Sequence, residues 1–158
     1  MPVRTAFPGG ATSVPGHILT ASDVNSLPGG WTGYAEVTAN QGSITAMTDI
    51  TGLSVTVTVN TSRRIRITGH GRVGSTVATD RIICYIRESS TNMQVLRDDS
   101  PSATAQNPAF EGSVILTPSA GSHTYKVSVD RPTGTGTVTM YASGTAPAFI
   151  LVEDLGPA

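Results

Sequence analysis

The hexapeptide Gly69-His70-Gly71-Arg72-Val73-Gly74 matches G-x-G-x-x-G. In a dinucleotide site that pattern follows a strand and opens a helix, whose N-terminus holds the pyrophosphate. Here it lies within and just after a strand-like alternation, and residues 75–81 lead into another strand. Gly69 and Gly71 then fall on the apolar face, which predicts a close backbone approach or a bulge. Arg64, Arg66 and Arg72 share a strand face with His70, and Arg63 is adjacent. Such a stripe could meet nucleic acid, a polysaccharide or, through planar guanidinium–carboxylate pairs, another subunit. Nucleic-acid binders carry net positive charge and interleaved aromatics. This chain has a net charge of −1 and 5% aromatics, so a subunit or capsid contact is the reading taken and no nucleic-acid partner is expected.

The other reactive types are scattered. His17, His70 and His123 show no metal-ligand spacing, and Cys84 is the only thiol. A lone cysteine forms no intrachain disulfide, and the run Ile82-Ile83-Cys84 marks it as a small buried hydrophobe. Asp98 and Asp99 are neighbours that could help bind a cation. There is no G-x-S-x-G elbow. Carboxylate pairs for glycoside hydrolysis assemble only in a fold, so sequence alone leaves them open. Asn60-Thr61-Ser62 is a glycosylation sequon, without meaning in the absence of a secretory signal. The expectation is a non-enzymatic protein with no catalytic residues, no cofactor and no metal.

The elements that would position these residues are strands. In the stretch 53–73, Leu53, Val55, Val57 and Val59 alternate with Ser54, Thr56, Thr58 and Asn60. After a break at Thr61-Ser62 the alternation resumes with Ile65 and Ile67 against Arg64, Arg66 and Thr68. A period of two predicts two consecutive half-buried strands. Composition agrees: Thr and Ser contribute 39 residues and Gly 17, while charged residues are only 13%, so strands are favoured over helices. Further strands are predicted at 33–39, 44–47, 81–88, 93–97, 110–117, 123–130, 138–142 and 149–152, the last capped by Glu153-Asp154. Ile83 and Tyr85, opposite Ile82, Cys84 and Ile86, predict burial on both faces of that strand. The segment 98–108, with two prolines, and the turn at 132–136 read as exposed loops. Nine or ten short strands with turns every eight to twelve residues predict an all-β antiparallel sandwich, preferably a jelly roll.

Residues 1–30 read differently. Pro2, Pro8, Pro15 and Pro28 with two Gly pairs rule out a central strand, yet Phe7, Ile18, Leu19, Val24 and Leu27 are too apolar for a solvent linker. The reading is an extended arm that lies on a partner's surface through those five residues, followed by a body over 31–158. One short helix is predicted in the arm, with Thr20 and Asp23 as a capping box and Val24 and Leu27 at helical spacing. Trp31, the only tryptophan, stands at the junction as an anchor that joins Arg64, Arg66 and Arg72 in the expected subunit or capsid contact or, alternatively, as a sugar-stacking platform. No apolar run approaches the ~18 residues of a membrane-spanning helix, and no signal peptide opens the chain. These observations predict a soluble product made in the cytoplasm, with no membrane partner.

Two stretches carry a family resemblance. Residues 16–34, GHILTASDVNSLPGGWTGY, resemble the start of many short tailed-bacteriophage virion proteins, where LTA-x-x-x-N follows a Pro/Gly-rich opening. Residues 118–129, PSAGSHTYKVSV, and 148–156, AFILVEDLG, resemble the C-terminal half of small phage tail and head-surface proteins. The resemblance implies a virion structural protein with a homotrimeric jelly-roll body of tumour-necrosis-factor/C1q-like type. It implies partners in the particle, the major capsid protein or a tail protein. It leaves open capsid decoration against a minor tail or receptor-binding module that recognises a host cell-surface glycan. A long collagen-like or heptad shaft is absent from the sequence, which counts against a fibre.

Overall fold

The computed structural model describes residues 5–6, 12–13, 27–101 and 107–158. Two short strands, β1 (Thr5–Ala6) and β2 (Thr12–Ser13), pair antiparallel within the arm. The body contributes β3 (Gly30–Val37), β4 (Gln41–Ile44), β5 (Thr48–Val59), β6 (Arg63–Ser75), β7 (Arg81–Glu88) and β8 (Thr91–Asp99). It continues with β9 (Ala109–Leu116), β10 (Gly121–Thr133), β11 (Val138–Tyr141) and β12 (Ala148–Pro157). The helix expected after Thr20 falls on residues 20–26, outside the described residues, as do Phe7, Ile18, Leu19 and Val24.

The ten body strands form two antiparallel sheets. One has the order β5-β10-β7-β8. The other has the order β3-β12-β6-β11-β4, with β9 paired to the far side of β6. β12 and β11 follow one another along the same flank of β6, with partners up to His70 and from Arg72 to Ser75. The eight principal strands thus lie as β3-β12-β6-β9 over β5-β10-β7-β8, the strand order of a jelly roll.

The core is where the alternating faces meet. Leu53, Val55, Val57 and Val59 of β5 are buried, as are Ile65 and Ile67 of β6 and Tyr125, Val127 and Val129 of β10. The intervening Ser54, Thr56, Thr58 and Thr124 are exposed. Cys84 is buried among them. The expected burial on both faces of β7 holds for Ile83, which is buried, and in part for Tyr85, which is half-buried.

Four boundaries differ from the sequence reading. Asp98 and Asp99 continue β8, and Pro101 is buried, so the exposed loop expected over 98–108 is shorter. The turn expected at 132–136 moves to 134–137, because the ladder of β10 runs on to Thr133. The second expected strand, 44–47, is instead β4, Gln41–Ile44. The last strand does not stop at Val152: Glu153 and Asp154 remain in register with Arg66 and Ile65, and pairing reaches Pro157. The carboxylates continue the strand because each meets a guanidinium, as described below.

Gly69 and Gly71 sit on the core face of β6, and that placement explains the G-x-G-x-x-G match. Gly69 is the ladder partner of Gly112 on β9. A methyl added at Gly69 would lie 2.8 Å from Leu96 Cδ1, and one at Gly112 would lie 2.9 Å from Leu96 Cδ2. Leu96 therefore fills a notch that two facing glycines leave open. Gly71 makes the same kind of room for Phe110 and Met140. Overpacking a filled core costs ~1–3 kcal/mol. Gly69→Val is expected to lower stability by about that amount in chemical unfolding at fixed protein concentration. Gly144→Ala, where nothing lies within 4 Å, is expected to stay within ~0.5 kcal/mol.

Candidate assembly surface

The outer face of the larger sheet is built by the strand period alone. Cross-strand pairing sets its side chains in three rungs. The first runs Glu36, Phe149, His70, Glu111, and the second runs Tyr34, Leu151, Thr68, Ser113. The third runs Glu153, Arg66, Ile115. Ile115 on β9 is 58% exposed and Tyr34 on β3 is 44% exposed, so the two most exposed large apolar side chains of this face lie on its opposite edge strands. The Phe149 ring stacks on His70 at 5.1 Å and tilts against Tyr34 at 6.0 Å. A shallow groove of about 650 Å³ crosses the rungs between Arg66, Phe149 and Leu151.

The polar side chains of this face meet one another across and along the strands. Arg66 Nη2 lies 2.8 Å from Glu153 Oε2, and Glu111 Oε2 lies 3.4 Å from His70 Nδ1. The Tyr34 hydroxyl donates to Glu36 Oε2 at 2.6 Å. The face therefore carries half-buried Phe149 and Leu151 on its central strand β12, exposed Tyr34 and Ile115 on its edge strands, and both signs of charge. The outer face of the smaller sheet is mixed: on β7 and β8 it presents half-buried Tyr85 beside Val95, which is 46% exposed. On β5 and β10 it carries Ser54, Thr56 and Thr58 beside Thr124 and Lys126, with Thr56 and Thr124 hydroxyls 2.8 Å apart.

The expected arginine stripe is real as geometry: Arg64, Arg66 and Arg72 lie on one face of β6. Only Arg66 forms an ion pair across the apolar rungs. Arg64 donates to the Pro157 carbonyl, and Arg72 donates to the Asn107 carbonyl and side-chain oxygens. Arg63 makes the more buried contact. Its Nε and Nη2 fork onto the Asp154 carboxylate at 2.6–3.1 Å, and Nη2 also donates to the Leu27 carbonyl at 2.6 Å. This arginine fastens the root of the arm to the last strand. Sequence reading left Arg63 and Asp154 aside because the pair joins residues 91 positions apart. Trp31 lies in β3 opposite Glu153.

The strand directions sort the loops into two poles. Leu27–Gly29, the turns 60–62 and 117–120 and the chain's C-terminal residues share one pole, where the Ala158 amide donates to the Ser62 carbonyl at 2.8 Å. A cleft of about 830 Å³ opens there beside Leu27, Arg63, Ala120 and Asp154. The loops 76–80, 134–137 and 142–147, with residues 100–101 and 107–108, share the opposite pole.

Asp80 organises that second pole. It is fully buried, accepts from the Ser75 hydroxyl, and accepts from the Thr135 and Gly136 amides at 3.0 and 3.2 Å. A Cβ at Gly134 would lie 2.0 Å from its carboxylate, and Gly134 has φ +119°, so the loop needs glycine there. Burial by itself would raise the Asp80 pKa. The Ser75 hydroxyl and the Gly136 and Thr135 amides outweigh it and hold the group below the usual carboxylate range. Asp98 and Asp99 do not form a shared cation cradle, since Arg81 takes Asp98 and Arg97 takes Asp99 through two nitrogens each. Among the described residues no three His, Cys, Asp or Glu side chains are grouped to hold a metal. Burial pushes the Cys84 thiol pKa up, which keeps it protonated.

No protein-family model and no curated protein sequence matches the chain. Among solved structures, Eiger TNF from S. frugiperda is similar, with 13% identity, TM-score 0.46 and coverage of 81% of this chain and 95% of that one. Murine APRIL, from a crystal at pH 8.5, shows 10% identity, TM-score 0.47 and coverage of 78% and 98%.

A depressed folded-state pKa adds stability above the unfolded value, and that stability is lost as pH falls through the folded one. Asp80→Asn is therefore expected to lose about 2 kcal/mol at neutral pH, the scale of hydrogen bonds to a buried charge. It is also expected to show a flatter loss of stability below pH ~4 than the wild type. Chemical unfolding repeated across pH reads both.

Proposed function

We propose that this protein is a non-enzymatic structural protein of a bacteriophage virion, a homotrimer fastened to the capsid or tail by its N-terminal arm. The observation that carries the assembly reading is the outer face of the larger sheet. Contiguous exposed apolar surface marks interaction sites, and this face adds charges of both signs that a second copy can satisfy. Tyr34, Phe149, Leu151 and Ile115 are its apolar contacts in the trimer, with the Arg66–Glu153 pair between them. The arm root lies at one pole, so the body extends away from the attachment point. The arm's Phe7, Ile18, Leu19, Val24 and Leu27 bury against the particle, and three arms per trimer multiply weak contacts through effective concentration. The virion assignment itself rests on the sequence resemblance of residues 16–34, 118–129 and 148–156.

A second reading places the protein at a tail tip, where it binds a host glycan. The observation favouring it is that the end of β8, the start of β9 and the turn after β10 lie at the same pole, opposite the arm root. Glycan-array binding that disappears on replacing those segments would select this reading.

Light scattering on the eluting full chain is expected to report three times the chain mass. Leu151→Asp is expected to weaken association by roughly 30-fold, the scale of an interface hot spot, with the strand circular-dichroism signal unchanged. A chain that is monomeric at high concentration would overturn the interface. Deletion of residues 1–26 spares the Leu27 carbonyl that Arg63 holds. The truncated trimer is expected to be folded and absent from purified particles; its continued incorporation would overturn the anchoring role.

A further inference from the structure

His123 enters β10 just after the turn 117–120. Its Nδ1 lies 2.6 Å from Glu88 Oε1 on β7, and its Nε2 lies 2.9 Å from the Ser119 carbonyl oxygen. A carboxylate and a carbonyl are both acceptors, so each contact needs an N–H on the ring. Only the imidazolium supplies two. A neutral ring has one N–H, and the other nitrogen then turns a lone pair toward an acceptor. The bond to the carboxylate is the stronger of the two, so the contact given up is the one to Ser119.

We propose that His123 is a proton-operated clasp, which in its doubly protonated form ties the turn 117–120 to the end of β7 and on losing a proton releases it. The surroundings leave the charge change to this one residue. β8 contributes Met93, β9 contributes Leu116, and the turn contributes Thr117 and Pro118 around a pocket of about 310 Å³. On β10 itself the Tyr125 ring lies parallel to the imidazole at 6.1 Å. Of these groups only Glu88 and Tyr125 have ionisable side chains. Burial and then the Glu88 charge push the Tyr125 pKa up to about 12, so it stays neutral while His123 changes state.

The hydrogen bond to Glu88, then that to Ser119, raises the His123 pKa against the opposing effect of burial. A raised value means that the clasp stabilises the fold below the unfolded-state value of ~6.5 and is lost as pH rises through the folded one. The consequence reaches the arm. Ala120 belongs to the same turn and lines the cleft at the arm root with Leu27, Arg63 and Asp154. Release of the turn loosens one wall of that cleft, so the seat of the arm root responds to a rise in pH through the His123 titration. The inference holds whether or not the arm binds a virion.

The test uses the full chain with labelled histidine, His123 being assigned by loss of its signal in His123→Gln. NMR follows the imidazole, and hydrogen exchange corrected for its intrinsic pH dependence follows the amides of 117–121. Turn protection is expected to fall about tenfold with the same midpoint as the His123 titration, the loss expected for one hydrogen bond. In Glu88→Gln both midpoints are expected to move together to lower pH by about one pH unit. Turn protection that ignores the His123 titration overturns the clasp, as does a Glu88→Gln midpoint that stays in place.

Discussion

The backbone ladder of β6 is the constraint on which the other features depend. Its thirteen residues pair with β12 and then β11 on one flank and with β9 on the other. A strand in that position cannot shift register by one residue without moving Ile65 and Ile67 to the surface and the arginines into the core. The glycines strengthen the restriction, because only Gly69, facing Gly112, leaves space for Leu96. Once β6 is placed, the neighbouring strands are fixed in order and in facing. The three rungs of the outer face and the Arg63–Asp154 contact then follow.

The two outer faces of the sandwich differ in chemistry although both come from alternating strands. On the β5 and β10 half of the smaller sheet the outward positions are Ser, Thr and Lys, with the Thr56 and Thr124 hydroxyls bonded to each other and Lys126 paired with Asp49, while β7 and β8 present Tyr85 and Val95. On the larger sheet the outward positions hold Tyr34, Phe149, Leu151 and Ile115, with the Arg66–Glu153 ion pair among them. Covering that face removes apolar area from water, whereas covering the β5 and β10 half of the other would cost desolvation of hydroxyls for little gain. That difference is why we place self-association on one face.

Each pole has its own polar tie. At the arm-root pole Arg63, Asp154 and the Leu27 carbonyl join the start of β6, the end of β12 and the arm. At the other pole Asp80 gathers the loop after β6 and the loop after β10. Both are carboxylates whose oxygens are filled by donors, which is how a charge is tolerated out of water. Neither joins neighbouring residues in the sequence, so neither leaves a local pattern.

The strand content was legible because a period of two is a local property. Leu53, Val55, Val57 and Val59 announce their common face, and so do Arg64, Arg66 and His70. The sandwich class, the break at Thr61-Ser62 and the packing role of Gly69 and Gly71 were therefore available from the residues alone. Pairing partners were not, since nothing in Gly69 names Gly112 or in Phe149 names His70. The extent of β12 was misjudged for the same reason: Glu153 and Asp154 look like a strand end until Arg66 and Arg63 are beside them. The apolar rungs of the outer face were invisible because their members come from four strands far apart in the chain. Alternation tells which side of its strand a residue occupies. Only long-range backbone pairing decides which residues meet, and the candidate surface is made of such meetings.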